Sequence, residues 1–87
     1  MHLTLLSRAY CHLCDEMLEA LKPLAAARRA TVAVVDVDGE PALEAEYGDR
    51  VPVLFAGEPV GGTVLCHYRL DRARVEAALA RSGQLGS

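Results

Sequence analysis

Two cysteines three residues apart, Cys11 and Cys14, stand at the junction between a strand pattern and a helix pattern. The run from His2 to Leu6 is short and mostly apolar, which is typical of a β-strand. From His12 to Arg29 apolar residues recur at the spacing of an amphipathic helix, namely Leu13, Met17, Leu18, Leu21 and Leu24. The junction therefore predicts a strand, a short loop, and a helix whose first turn carries both cysteines.

The rest of the chain continues to alternate between strand and helix patterns. Thr31 to Val37 is a run rich in β-branched residues, typical of a strand that is covered on both faces. Pro41 suits the first turn of a second helix, and Gly48 suits its end. These patterns predict a second strand followed by a short second helix.

The last third of the chain predicts a hairpin and a third helix. Two strand patterns, Val51 to Ala56 and Val64 to Arg69, flank the turn residues Gly-Glu-Pro at 57–59, so the two strands are expected to pair antiparallel. Asp71 can cap the last helix. The buried stripe of that helix is expected at Val75, Ala78 and Leu79.

The predicted order of elements is thus β-α-β-α-β-β-α. A right-handed crossover makes the first two strands parallel, and the hairpin adds two more. We therefore predict an α/β protein with the thioredoxin-like fold, a four-stranded mixed sheet with helices on both faces. The 87 residues leave room for one domain, expected at 1–82, with a flexible C-terminal tail at 83–87.

Composition and charge argue against several classes of partner. The net charge of −3 comes with acidic and basic residues intermixed, so no basic stripe can follow a phosphate backbone, and nucleic-acid binding is not expected. No stretch approaches the roughly 18 apolar residues of a membrane span, and the N-terminal apolar run is too short for a signal peptide. We therefore expect a soluble, cytoplasmic protein. Arginine-rich usage, with Lys22 the single lysine, fits a bacterial genome of high GC content.

Three cysteines in a reducing compartment indicate catalysis or metal binding rather than a framework of structural disulfides. At the start of a helix, backbone N–H groups and the helix dipole stabilise a thiolate and lower a cysteine pKa from about 8.5 to roughly 3.5–7.5. Cys11 is accordingly predicted to be the nucleophile, and Cys14, one turn deeper, the resolving thiol. An imidazolium at His12 would stabilise the thiolate further.

Other interpretations of the cysteine pair remain open. Two nearby cysteines can be half of a zinc site or can simply pack together. Attachment of a c-type haem is excluded, because that motif needs a histidine where Asp15 stands. The alternative functions are a metal or iron–sulfur binding module that uses Cys11 and Cys14 as ligands, and a non-catalytic adaptor.

The third cysteine, Cys66, lies next to His67 in the last strand pattern. Strict alternation along that strand puts Val64, Cys66 and Tyr68 on one face, so Cys66 is predicted to pack as a small buried hydrophobe. The alternative is a zinc site formed by Cys11, Cys14, Cys66 and His67. Because adjacent strand residues point to opposite faces, joint ligation by Cys66 and His67 is awkward, and no metal ligand is predicted.

Several motifs together resemble thioredoxins and glutaredoxins: Cys-x-x-Cys after the first strand, Val-Asp-Val-Asp at 35–38, and Val51-Pro52 opening the hairpin. From Leu3 to Leu79 the chain is most similar to small bacterial glutaredoxin-like proteins of undefined substrate. The resemblance implies a thiol–disulfide oxidoreductase of cell redox homeostasis that needs no bound cofactor. It also implies that the Val51–Pro52 peptide bond is cis, that Pro52 sits beside Cys11, and that the Val51 backbone pairs with the substrate.

The sequence departs from the glutaredoxin pattern at several positions. His12-Leu13 replaces the usual Pro-Tyr between the cysteines, and the aromatic Tyr10 precedes the pair instead. Gly61-Gly62 lacks the following acidic residue that helps seat glutathione in glutaredoxins. Arg8 is either a solvated loop residue or a cation for a glutathione carboxylate. The predicted substrate-binding residues are Tyr10, His12, Val51 and Pro52.

These departures bear on the expected partners, which are protein disulfides as substrates and a thioredoxin-type system or glutathione as reductant. Glutathione is small and anionic and needs several positioned polar groups, some of which are missing or displaced here. A protein reductant needs chiefly an open groove around Cys11, Tyr10 and Pro52. The sequence therefore favours a thioredoxin-type reductant, with glutathione the weaker candidate co-substrate, and a monomeric protein.

Overall fold

The computed structural model describes the backbone of residues 1–86 and the side chains of residues 1–81. Its elements alternate along the chain. They are β1 (His2–Ser7), α1 (His12–Ala27), β2 (Thr31–Asp36), a 3₁₀ turn (Val37–Gly39), α2 (Pro41–Tyr47), β3 (Val53–Ala56), β4 (Thr63–His67) and α3 (Arg72–Gly86). The order β-α-β-α-β-β-α predicted from the sequence is confirmed.

The four strands form one mixed sheet in the order β2-β1-β3-β4. β1 and β2 are parallel, with Leu3 opposite Val32, and β3 runs antiparallel to both β1 and β4. Leu6 near the end of β1 lies opposite Val53 at the start of β3. The loop that follows β1 and the loop that precedes β3 therefore meet at the same end of the sheet.

Each face of the sheet carries its own core, because alternate residues of β1 point to opposite faces. On one face α1 and α3 cover Leu3, Leu5 and Leu54. On the other face Leu43 and Tyr47 of α2 pack on a smaller cluster formed by Leu6, Val37, Val53 and Phe55. Helices thus cover both faces, as predicted for this α/β fold.

The burial of β2 corrects one expectation from the sequence. This strand was expected to be covered on both faces, but it lies at the edge of the sheet, and the Val34 side chain is 51% exposed. The strand covered on both faces is β1, in which Leu3, Thr4, Leu5 and Leu6 are all fully buried. The physical reason is strand order, since only an inner strand has neighbours on both sides and lies beneath the centre of each helix layer.

A bulge in β4 corrects a second expectation. Leu54 lies opposite Cys66 and Phe55 opposite Val64, so Leu65 is an extra residue in the ladder. Strict alternation would put Leu65 and Cys66 on opposite faces, but both are buried in the cluster under α1 and α3. A β-bulge breaks the period of two, which a sequence pattern assumes.

The last helix agrees with the sequence in its start and in its buried stripe. The Arg74 N–H donates to Oδ1 of Asp71 at 3.1 Å, which is the predicted cap, and Val75, Ala78 and Leu79 are buried. The helix extends to Gly86, beyond the predicted domain end at residue 82. The flexibility expected for 83–87 stays a prediction, because Ser87 and the side chains from 82 onward lie outside the described residues. Within the described residues, none of the helices is long and apolar enough to cross a membrane.

Candidate active site

Cys11 caps the N-terminus of α1. Its backbone is extended, with φ −102° and ψ 106°, and its carbonyl accepts the Asp15 N–H at 3.2 Å, which starts the helix. Its Sγ accepts a hydrogen bond from the Cys14 N–H at 3.2 Å. The sulfur therefore occupies the place of a capping oxygen, where N–H groups and the helix dipole favour negative charge.

Cys11 and Cys14 form a disulfide, with their Cα atoms 5.2 Å apart. The two sulfurs differ in access, because Cys11 is partly exposed whereas Cys14 is 1% exposed. Cys14 begins the buried stripe of α1, which continues through Met17, Leu21 and Ala25. One sulfur of the pair can therefore meet a partner molecule, and the other is held beneath it.

The loop before β3 lies at the same end of the sheet as Cys11. Its Val51–Pro52 peptide bond is cis, as the family resemblance implied. Pro52 is buried and Val51 partly buried, immediately before β3 begins at Val53. The sheet register thus brings this loop and the loop carrying Cys11 to the same end of the sheet.

Tyr68, just past the end of β4, is a residue of this region that the sequence analysis did not single out. Its N–H donates to the Pro52 carbonyl at 2.9 Å, and its hydroxyl donates to the Asp49 carbonyl at 2.8 Å. Its φ of 65° lies in the left-handed region, which is uncommon for a side chain of this size. The sequence offers only one indication of this role, namely an aromatic residue at the end of the predicted hairpin, and that indication does not identify its hydrogen-bond partners.

Arg8 is the second residue whose role was missed. Its guanidinium donates to Oδ1 of Asp38 at 3.1 Å, to Oε1 of Glu44 at 3.0 Å and to the Gly48 carbonyl at 3.2 Å. The sequence analysis offered Arg8 as a solvated loop residue or as a cation for glutathione, whereas the structure shows a side chain that is 33% exposed and already pairs with two carboxylates. It ties the loop after β1 to α2 and to the residue that follows α2.

The two other predicted substrate-binding side chains are both exposed near Cys11. The Tyr10 ring is fully exposed on a backbone with φ 59°. The His12 side chain is 91% exposed, and its Nε2 lies 3.8 Å from Oε1 of Glu16. A shallow groove begins at Leu13 and runs between α1 and the segment after β4, lined by Met17, Ala20, Tyr68, Arg69 and Leu70.

Gly61-Gly62 lies far from this region. The pair belongs to the turn between β3 and β4, at the end of the sheet where the Gly57 N–H donates to the His2 carbonyl at 2.8 Å. Gly61 has φ 86°, and a Cβ on Gly62 would come within 2.6 Å of the Ala56 carbonyl oxygen. These glycines serve the turn and lie at the opposite end of the sheet from Cys11.

Cys66 is a free, buried thiol, as predicted. Burial raises its pKa, an effect opposed by a hydrogen bond from the Asp71 backbone. Among the described residues, no three His, Cys, Asp or Glu side chains come together as metal ligands. In this part of the chain, the four residues of the alternative zinc site, Cys11, Cys14, Cys66 and His67, are thus not gathered into one group of ligands.

Comparison with solved structures defines the class of protein. A thioredoxin from Thermosipho africanus superposes with a TM-score of 0.68, covering 99% of this chain and 98% of its own, at 17% identity. At that identity the likeness establishes the fold alone. The domain has the thioredoxin fold, and its cysteine pair lies at the start of the first helix of that fold.

The family is defined by sequence. Residues 2–80 match the glutaredoxin-like domain family (DUF836), and the chain belongs to it. An uncharacterised protein of Mycobacterium tuberculosis is 35% identical over an alignment of 83 residues, which covers 90% of this chain and 81% of that protein. The solution structure of protein Ne2328 from Nitrosomonas europaea is 39% identical, covers 88% of each chain and has a TM-score of 0.76.

Proposed function

We propose that this protein is a thiol–disulfide oxidoreductase in which Cys11 attacks and Cys14 resolves. The observation that carries the proposal is the pairing of an accessible sulfur at a helix N-cap with a buried sulfur one turn later. The N–H of Cys14 donates to the Cys11 sulfur, and such donors favour the thiolate, which is the nucleophilic form.

In the first step, the Cys11 thiolate of the reduced protein attacks one sulfur of a substrate disulfide. A bond forms between Cys11 and that sulfur, the substrate S–S bond breaks, and the other substrate sulfur leaves as a thiolate that takes up a proton. The product is a mixed disulfide. The exposure of Cys11 supports its role as the attacking sulfur.

In the second step, Cys14 loses its proton and attacks Cys11 in the mixed disulfide. The Cys11–Cys14 bond forms, and the second substrate sulfur leaves and is protonated. The substrate gains two electrons from the protein and two protons, one that Cys14 gives up and one from solvent, which replaces the proton that Cys11 released when it ionised. The 5.2 Å between the two Cα atoms supports this step, because it lies within the range that a disulfide spans without backbone movement.

The proposed substrates are protein disulfides, and the proposed reductant is a thioredoxin-type protein system of the cytoplasm. Three exposed apolar side chains surround Cys11 or border the groove beside it, namely Tyr10, Leu13 and Tyr68. A protein partner would cover such a surface. Glutathione is the weaker candidate because the charge of Arg8 is already paired with two carboxylates, and Gly61-Gly62 lies at the other end of the sheet. The backbone of Val51, beside the cis bond, is proposed to pair with the substrate chain.

The test is reduction of the insulin interchain disulfides by catalytic amounts of protein, with thioredoxin reductase and NADPH or with glutathione as reductant. Wild type should turn over with the first reductant more efficiently than with the second. The Cys14→Ser variant should accumulate a mixed disulfide on Cys11. Inactivity of the reduced wild-type protein toward every disulfide offered would contradict the proposal.

The alternative function, metal binding by the cysteine pair, is tested by measuring the metal content of the purified protein. Protein purified anaerobically would then contain zinc, or iron and sulfide, in stoichiometric amounts, and Cys11→Ser would lose them. An oxidoreductase should instead yield metal-free protein with two rapidly titrating thiols. The absorption spectrum separates an iron–sulfur protein from the proposed dithiol at once.

A further inference from the structure

We infer that Arg8 and Tyr68 are positioning residues that hold the segment Gly48–Pro52 from two sides. By holding this segment, they also fix the position of Val51 and Pro52, which are proposed to meet the substrate. We call this segment the approach segment. The inference rests on the proposed function in one respect, namely that the segment binds a disulfide substrate. That Arg8 and Tyr68 hold the segment in place rests on their hydrogen bonds alone.

The approach segment has little regular structure to hold it. It runs from the end of α2 to the start of β3, and β3 enters the sheet ladder only at Val53. Its own backbone bonds are local, from the Gly48 N–H to the Glu44 carbonyl and from the Arg50 N–H to the Tyr47 carbonyl. Asp49 and Arg50 are exposed. Pro52 is buried and Val51 packs on the cluster under α2, so packing fixes the end of the segment next to β3, and bonds from outside the segment add to that hold.

Arg8 supplies the first of these bonds. Two of its three contacts are ion pairs, to Asp38 and Glu44, and they hold the plane of the guanidinium. The remaining nitrogen, Nη1, donates to the Gly48 carbonyl at 3.2 Å. The guanidinium fork places its donors on three nitrogen atoms in one fixed plane, so it spans three separated acceptors, whereas the three donors of a lysine share a single nitrogen. Arg8 also stands three residues before Cys11, so the same side chain links the cysteine loop to the approach segment.

Tyr68 supplies the other bonds, from the β4 side. Its hydroxyl reaches the Asp49 carbonyl at 2.8 Å and its N–H reaches the Pro52 carbonyl at 2.9 Å. Both ends of the stretch from Asp49 to Pro52 are thus held by one residue. The left-handed φ of 65° turns the chain so that backbone and side chain reach the segment together.

The consequence concerns binding rather than the reactivity of the sulfur. Exchange at sulfur needs the attacked disulfide held in line with the attacking atom, and a loosely held edge would bind the substrate in many orientations. Neither Arg8 nor Tyr68 donates to the Cys11 sulfur, whose described donor is the Cys14 N–H. Loosening the segment should raise KM and leave the thiolate unchanged.

The experiment compares Tyr68→Phe and Arg8→Gln with two matched controls. Tyr68→Phe removes one hydroxyl and keeps the ring, with Tyr47→Phe as its control. Arg8→Gln is matched by Arg72→Gln, which breaks a surface ion pair with Glu76 on α3. Each test variant removes one side-chain hydrogen bond to the approach segment, so KM for insulin should rise about three- to tenfold, with kcat within about twofold of wild type. The pH profile of Cys11 alkylation should not move.

Amide hydrogen exchange gives a readout that needs no turnover. The Arg50 and residue-68 amides should exchange faster in both test variants than in the controls, while the Gly57 amide at the far end of the sheet should not change. Arg8→Lys keeps the charge without the fork and should recover only part of the effect. Unchanged exchange at both amides in Tyr68→Phe, or full recovery by Arg8→Lys, would overturn the inference. Lack of disulfide reduction by wild type would overturn the proposed function. Amide hydrogen exchange would still decide whether Arg8 and Tyr68 hold the approach segment.

Discussion

Cys11 and Cys66 place the same side chain in two opposed settings. Cys11 is partly exposed at the N-cap of α1, and its sulfur accepts the Cys14 N–H. Cys66 is buried in the bulge of β4, where desolvation raises its pKa. The contrast is sharper than it first looks, because Cys66 also accepts a hydrogen bond from a backbone N–H near a helix start, that of Asp71.

The difference teaches which effect dominates. An N–H donor favours the thiolate at both sites, but at Cys66 burial disfavours the charged form more strongly, and the Asp71 carboxylate adds repulsion. A backbone N–H donor near a helix start is therefore not enough to lower the pKa of a cysteine that is buried, as Cys66 shows. Four experiments test this contrast, beginning with the largest expected effect.

Replacing Cys11 should abolish disulfide reduction, whereas replacing Cys66 should leave it intact. Cys11→Ser removes the attacking sulfur, so insulin reduction should fall by about a thousandfold or more. Cys66→Ala should stay within about twofold of wild type, because its sulfur is buried and lies outside the disulfide. A large loss of kcat in a folded Cys66→Ala variant would break the comparison.

The reduced thiols should differ in their rate of alkylation. At pH 7, limiting iodoacetamide followed by peptide mapping should label Cys11 first and Cys66 last. The thiolate is the form that reacts, so a partly exposed sulfur that accepts an N–H should be alkylated at least about tenfold faster than the buried Cys66 thiol. Preferential labelling of Cys14 or Cys66 would contradict the assignment of roles.

The raised pKa of Cys66 should appear in the pH dependence of stability. Because the folded pKa lies above the unfolded value, the unfolded state releases its proton first as pH rises. The contribution of Cys66 to the free energy of unfolding is therefore complete below the pKa of the unfolded state. It is lost as pH rises through the pKa of the folded state. Urea unfolding of reduced protein from pH 7 to 11 should show wild type losing stability more steeply than Cys66→Ala.

The variant itself supplies a check on that measurement. Removing one buried sulfur should cost about 1 kcal/mol at pH 7, where the thiol is neutral in both states. The difference between wild type and Cys66→Ala should then shrink at alkaline pH. A difference that is constant over the whole range would argue that Cys66 titrates normally in the folded protein.

The smallest effect is expected at the backbone beside Cys11. Tyr10 has φ 59°, a conformation that costs an L-residue roughly 1–2 kcal/mol and that glycine adopts freely. After allowance for the greater chain entropy of glycine, Tyr10→Gly should raise the unfolding free energy by about 0.5–1 kcal/mol. Arg29→Gly, at φ 53° beyond the other end of α1, is the matched control and should gain as much. If only Arg29→Gly gains stability, the Tyr10 ring makes a stabilising contact in solution.

Features set by neighbours along the chain were predictable from the sequence. The order of elements, the start of α1 at the cysteines, the Asp71 cap and the buried stripe of α3 all agree with the structure. Helix periodicity, capping and turn chemistry act over a few residues, so their signals survive in the sequence. The cis bond at Pro52 was predictable only through the family resemblance.

Features set by distant parts of the chain were decided by the tertiary structure. Strand order put β2 at an edge, although its β-branched residues suggested burial, and a bulge moved Leu65 onto the face of Cys66. Arg8 finds acceptors 30 to 40 positions away, and Tyr68 finds one 19 positions away. No local pattern encodes such partners, because a charge or hydroxyl looks the same in sequence whether it meets water or a carbonyl. The sequence by itself determined where the cysteine pair stands, and packing decided what holds the surface around it.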